Sequence, residues 1–190
     1  MLSRRPVLVA AAATIAAFAA VSAPATAAYP TSGYTIWRIA GTGVQGGSGD
    51  GGPALRAKVA APTGLAVQAD GTVLVADNVL GTLRAISPTG IISRVAGGGS
   101  TAPADGVPAR EAQFPGVRAV AVAPDGVVHI TAGNAVWKIV DGALIRVAGT
   151  GAWGFSGDGG PATEAQLQNA AGIAFDSSGM CSASPSPTIW

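Results

Sequence analysis

One cassette recurs three times along this 190-residue chain, and the recurrence constrains the fold more than any other feature. The first copy reads Gly41-Thr42-Gly43, Gly49-Asp50-Gly51-Gly52-Pro53-Ala54, Gly64-Leu65-Ala66-Val67 and Asp70-Gly71. The second is degenerate, with Gly97-Gly98-Gly99, Asp105-Gly106, Pro108-Ala109, Val120-Ala121-Val122 and Asp125-Gly126. The third returns to Gly149-Thr150-Gly151, Gly157-Asp158-Gly159-Gly160-Pro161-Ala162, Gly172-Ile173-Ala174-Phe175 and Gly179. Its central aspartates, Asp50, Asp105 and Asp158, are spaced by 55 and then 53 residues. A long fixed period implies one supersecondary unit copied and stacked, because a single copy cannot bury its own apolar face.

Within each unit, short β-branched runs bounded by Gly, Pro and Asp have the length and alternation of strands. The first unit predicts strands over 64–68, 73–76, 82–86 and 91–96, with Asp70-Gly71 turning the first hairpin and Ser87-Pro88-Thr89-Gly90 the last. The second predicts strands over 119–123, 127–131, 135–140 and 143–148, with turns at Asp125-Gly126 and Asp141-Gly142. Four antiparallel strands and a long Gly-rich connection, repeated, are the unit of a β-propeller blade. A β-sandwich is the rival fold, but nothing in a sandwich makes a loop sequence recur. The fold class expected is therefore all-β: a partial β-propeller of four-stranded antiparallel blades, about two full blades plus flanking strands.

The segment Gly64-Leu65-Ala66-Val67-Gln68-Ala69-Asp70-Gly71-Thr72-Val73-Leu74-Val75-Ala76-Asp77, followed by Leu83-Arg84-Ala85-Ile86, resembles the NHL repeat. The connection with Ala40-Gly41-Thr42-Gly43 and Gly49-Asp50-Gly51-Gly52-Pro53-Ala54 is similar to the long-linker variety of bacterial secreted repeat proteins and the teneurin propeller. The resemblance covers about 36–179 and implies a ring of about six blades. Two departures stand in the second unit: Ala132 replaces the counterpart of Asp77, and the connector lacks the paired glycines.

Two complete units, a leading strand over 34–40 and an opening strand over 172–176 do not make a closed ring, which takes roughly four to eight blades. After Gly179, Met180-Cys181-Ser182-Ala183-Ser184-Pro185 replaces the strand residues of unit one, as in a truncated or frameshifted reading frame. The expected domain layout is a signal peptide over 1–27, a propeller fragment over 28–180 and an aberrant Ser/Pro tail over 181–190. Arg4 and Arg5, the apolar run over 7–21 and Ala25-Thr26-Ala27 form the signal. The run is shorter than the roughly 18 residues a membrane span needs. Ser3-Arg4-Arg5-Pro6-Val7-Leu8 suits Sec export or, with Val7 at the position that favours Phe, a twin-arginine signal. The chain is thus expected in the medium or cell envelope of a bacterium.

Cleavage removes Arg4 and Arg5 and leaves nine basic against ten acidic residues, a net charge of −1. Nine scattered cations build no basic patch, which argues against a nucleic-acid partner. Cys181, the single cysteine, cannot form an intrachain disulfide. Asp50 and Asp158 lie in Gly-rich loops, but each loop offers one carboxylate where calcium takes six to eight oxygens. A turn-forming role through nearby backbone amides fits them better. His129, the only histidine, supplies at most one of the ligands a zinc site needs and fits an interblade position. Asp77 reads as a turn or cap group without a partner carboxylate for acid–base work. The Gly41-Thr42-Gly43 and Gly149-Thr150-Gly151 segments have no following Gly-Lys-Ser/Thr and are not phosphate loops. Trp37, Trp137 and Trp153 could line a carbohydrate face, although strand positions favour packing for the first two.

No residue is therefore expected to be catalytic, to ligate a metal or to hold a cofactor. The expected role is a secreted, non-enzymatic platform for an extracellular protein or glycan, with no membrane span after signal cleavage and with self-association through open blade faces. The alternative is a fragment of a secreted propeller lyase or lactonase.

Overall fold

Sheet by sheet, the computed structural model realises the repeat, and it describes residues 36–185. The signal over 1–27 lies outside those residues, as does the start of the leading strand. The first sheet pairs β1 (Pro62–Val67), β2 (Val73–Asp77), β3 (Thr82–Ile86) and β4 (Ile92–Gly97) in sequence order. The second pairs β5 (Val117–Val122), β6 (Val128–Ala132), β7 (Ala135–Val140) and β8 (Ala143–Ala148) in the same way. β9 (Ala170–Phe175) and β10 (Cys181–Pro185) open a third. All pairs are antiparallel. β5 packs on β1 and β2, and β9 packs on β5 and β6, so the sheets stack face to face without closing. This is an all-β, open, partial propeller.

One core fills the space between the first two blades. Leu74 and Leu83 from one sheet meet Val120, Ile130, Trp137 and Leu144 from the other. Complete burial of such a side chain contributes about 1.5–3 kcal/mol, which explains the near-continuous apolar run of β2. A second cluster, Val75, Ile86 and Ile92 with Ala54 and Ala57, lies on the opposite side of the first sheet. That side is open among the described residues: Val67 is 64% exposed, whereas its counterpart Val122 is partly buried under the first blade.

The cassette folds as a connector that covers the outer strand of its blade. Gly51 N–H donates to the Ile92 carbonyl at 2.8 Å, and Ile92 N–H donates to Gly52 at 3.0 Å. Gly106 and Val107 pair with Leu144 in the same way at 2.8 and 2.9 Å. A bare outer edge would invite pairing with another chain, and the connector removes it. Its curl is local, because the third copy repeats it where no outer strand stands among the described residues. Gly41 N–H to Ala54 O and Gly149 N–H to Ala162 O both measure 2.9 Å. Glycine is required at Gly49 and Gly157, where φ is 102° and 100° and a Cβ would press on the Ala57 and Ala165 backbone at 2.7 Å.

The inner strands start two residues earlier than expected. Register shifts between Pro62 and Gly64 and between Val117 and Ala119 leave Thr63 and Arg118 as bulge residues, so pairing extends beyond the bulge. Two expectations are corrected. Residues 36–40 form no strand; Ile39 and Ala40 instead pack onto the second core cluster, since no sheet edge pairs with them. Cys181–Pro185, expected to abandon strand chemistry, pairs with β9, Cys181 opposite Phe175 and Ser182 opposite Ala174. Backbone groups alone supply that ladder, so β-branched side chains are not needed.

Candidate ring-face site

Of the aspartates in the cassettes, Asp50 is an ion partner rather than a turn former. Its Oδ1 accepts from Arg84 Nε at 2.9 Å and lies 2.7 Å from Arg84 Nη2. Arg84, on β3, is 2% exposed and also donates to the Lys58 carbonyl at 2.7 Å. Asp105 instead accepts the Arg146 backbone N–H at 2.6 Å, and Asp158 is exposed on the third connector. Asp77 is fully buried and accepts backbone N–H groups of Ala60, Ala61 and Leu80 at 2.9, 3.2 and 3.1 Å. Every one of these carboxylates with a partner ties connector to sheet.

His129 sits on β6 at 7% exposure, its Nδ1 3.1 Å from the Val127 carbonyl and its ring edge-on to Phe175 of β9 at 4.7 Å. It fills a gap between blades. Burial pushes its pKa below the usual histidine range, against smaller opposing effects of the Val127 carbonyl and Asp125. Burial likewise pushes the Cys181 thiol up, which keeps it protonated and weakly nucleophilic. Trp137 is a core residue: it is 5% exposed, 6.5 Å from the Phe114 ring, with Nε1–H donating to Ala132 O. Trp37 lines an apolar groove of about 270 Å³ on the open side of the first sheet, beside Ile36, Leu65 and Val73. Among the described residues, no group of three or more His, Cys, Asp or Glu could hold a metal ion.

The polar site lies elsewhere, where β5 and β9 begin and the β2–β3 and β6–β7 turns meet. A pocket of about 220 Å³ opens there, lined by Asn78, Pro115, Gly116, Arg118, Ala132, Gly133, Asn134, Trp153, Asn169 and Ala170. Three successive units contribute to it. In a propeller, the ends of the inner strands surround the central channel. Each side chain has a local cause for its position. Arg118 is the bulge residue of β5, and a bulge re-aims the side chain it carries. Its guanidinium makes no hydrogen bond or ion pair among the described residues, and no acid lines the pocket. Asn134 and Asn169 both adopt positive φ, 57° and 49°. They lock together, Asn169 N–H donating to Asn134 Oδ1 at 3.2 Å. The Asn78 amide oxygen overhangs Gly116, where any Cβ would collide with it. Trp153, on the third connector, is 67% exposed. The arrangement offers one cation, three amides and a flat aromatic face, a set suited to a small polar anion.

Of this site the sequence had singled out Trp153 as a binding candidate and Ala132 as a departure from the strand motif. Arg118 carried no motif, and its role depends on a bulge that spacing does not reveal.

No protein-family model and no curated protein sequence matches the chain. Solved structures do. A protein of unknown function from Bacteroides thetaiotaomicron is 23% identical, with a TM-score of 0.56 over 64% of this chain and 32% of that one. A streptogramin B lyase is 12% identical, with a TM-score of 0.37, over 67% of this chain and 41% of that one. Virginiamycin B lyase from Staphylococcus aureus is 15% identical, with a TM-score of 0.36, over 67% and 42%. The chain thus spans well under half the length of each. The Bacteroides thetaiotaomicron match shows a shared fold and nothing more. Lyases are among the matched structures, and the leaning away from enzymatic function is withdrawn. It rested on the lack of a catalytic set within about two blades, and a propeller enzyme distributes its site over a whole ring.

Proposed function

We propose that this chain supplies blades, NHL-type in their strand motif, to an exported propeller enzyme of lyase type that receives its substrate on the ring face. The observation that carries the reading is the pocket at the inner-strand ends, where three units place Arg118, Asn78, Asn134, Asn169 and Trp153 around one opening. A concave site with a few converging polar groups is the default place for a small ligand. Arg118 would hold an anionic group of the substrate and oppose the charge that develops when a proton leaves the adjacent carbon. Groups that move that proton would come from blades facing the pocket across the channel. The strand motif over Gly64 to Asp77 and the two-part connector support the NHL assignment, and Arg4, Arg5 and Ala25-Thr26-Ala27 support export to the medium or envelope.

The lactonase alternative separates by product mass. Streptogramin B, the compound class named for the matched lyases, serves as the first probe. Elimination opens a cyclic ester into a product of unchanged mass, whereas hydrolysis adds one water. An unchanged mass with a new ultraviolet-absorbing double bond is the expected result. Water addition would favour the lactonase, and no turnover of cyclic esters or of acidic saccharides would remove the enzyme reading.

A further inference from the structure

Resting on that reading of the ring face, we infer that its ligand is a carboxylate-bearing saccharide, held through Arg118 and Trp153.

The charge comes first. Arg118 is the one ionisable group lining the pocket, and Ala132 stands where the strand motif of unit one has Asp77. That lining position therefore carries a methyl group rather than a carboxylate. A planar guanidinium with no protein partner presents its fork to a carboxylate with two parallel hydrogen bonds. A phosphate group, near −2 in charge, is normally met by several cations or a helix N-terminus, and this pocket supplies one cation and no helix.

The rest of the lining selects what carries the carboxylate. Asn78 and Asn169 present amide groups that both donate and accept, which matches hydroxyls rather than alkyl chains. Trp153 adds an exposed, rigid apolar plate suited to the C–H face of a pyranose. Its exposure is not shared by Trp137, which the core has absorbed. The volume of about 220 Å³ is below the ~300 Å³ at which drug-sized pockets begin, and so suits a single small ring. Asn134 Oδ1 accepts the Asn169 backbone N–H at 3.2 Å and its Nδ2 donates to the Gly151 carbonyl at 3.4 Å, so this part of the wall is held in place.

Titration of the chain with methyl glucuronide, methyl glucoside, acetate and glucose 1-phosphate, followed by tryptophan fluorescence and by NMR, tests this. The expected result is saturable binding of the glucuronide, about tenfold or more tighter than the glucoside or acetate. Arg118→Gln should weaken the glucuronide about tenfold and leave the glucoside unchanged, with partial recovery in Arg118→Lys. Trp153→Ala should weaken both sugars and spare acetate. A thermal melt of each variant separates a folding defect from a binding defect, and Trp153, on an exposed loop, leaves folding intact. Equal binding of glucuronide and glucoside, acetate as tight as glucuronide, a preference for the phosphate, or no binding would overturn the inference. Glucuronide binding without turnover by the assembled enzyme would sink the lyase reading alone. Turnover of uncharged substrates with no acidic preference would sink the saccharide assignment alone.

Discussion

The two complete blades share one backbone and differ in what they bury between sheet and connector. In the first, β3 brings Arg84 inward to meet Asp50 of its connector. In the second, the aligned position on β7 is Trp137, which packs on Phe114 while Asp105 turns to a backbone N–H. A second contrast accompanies it. Asp77 closes β2 by accepting from Ala60 and Ala61, whereas Pro115 replaces Ala60 in the second unit and has no N–H to give. Ala132 is therefore the consistent partner of Pro115, and the departure from the strand motif is paired rather than random. One consequence reaches the ring face, because a carboxylate at Ala132 would stand in the wall of the pocket that holds Arg118. The ionic solution ties connector to sheet; the apolar solution leaves the cation uncompensated for a ligand.

The largest expected effect separates the two solutions. Asp50→Ala leaves a guanidinium that is 2% exposed without its counter-ion, at a cost of about 3–5 kcal/mol. Arg84→Met keeps most of the packing and leaves Asp50, whose side chain is 36% exposed, to water, so it costs less. The double variant should resemble Arg84→Met. Asp105→Ala in the second blade should cost about 1 kcal/mol, since it loses one hydrogen bond to backbone. Urea midpoints on the four variants check the order, and equal losses at Asp50 and Asp105 would erase the contrast.

Next comes Asp77. Asp77→Ala orphans part-buried N–H groups of Ala60, Ala61 and Leu80 and should cost about 2 kcal/mol. Ala132→Asp, the reverse transplant, should also destabilise, because Pro115 cannot donate to the new carboxylate. Combining it with Pro115→Ala should recover part of the loss. A stabilising single Ala132→Asp would show that the pairing of these positions has been misread.

A third contrast lies along the inner strands. A Cβ on Gly64 would meet the Ala119 Cα at 2.9 Å and the Arg118 carbonyl at 3.0 Å, both backbone. Gly64→Ala should cost about 1–3 kcal/mol by forcing blades apart. Gly172→Ala should cost less, because the nearest atom is the Ser184 Oγ, which can rotate away. Thermal melts decide this, and a larger loss at Gly172 would place the tight approach on the wrong interface.

These contrasts also mark how far the sequence could be read. Period, alternation and the Asp-Gly turns located β3, β7 and β8 to the residue, and Gly71 and Gly126 do take positive φ, 89° and 86°. Local chemistry was sufficient there. The inner strands were misplaced by two residues because a bulge is a property of a pair, visible only when the partner strand is in place. The pairing of Asp50 with Arg84 spans 34 residues and involves two different motifs, so neither motif announces it. Arg118 was missed for the same reason, since its importance comes from neighbours contributed by three units.

The smallest expected effect is a pH dependence that one blade has and the other lacks. His129 occupies on β6 the place that Leu74 holds on β2, opposite Lys138 where Leu74 is opposite Ala85. Its burial against Phe175 lowers its folded pKa, with Lys138 acting in the same direction and Asp125 against. The unfolded chain takes up a proton at this side chain near pH 6.5, and the native state resists until lower pH. Stability from this residue is thus fully present above about pH 6.5 and declines as pH falls from there toward the folded pKa. Asp70 and Asp176, whose carboxyls are held below the usual range by turn hydrogen bonds, change stability only near pH 4 and below, in a separate window. His129→Leu, which copies the first blade, should flatten the urea midpoint between pH 7.5 and 5.5 while leaving the loss below pH 4 in place. An undiminished slope in that variant would mean that the interblade histidine is not what acid attacks first.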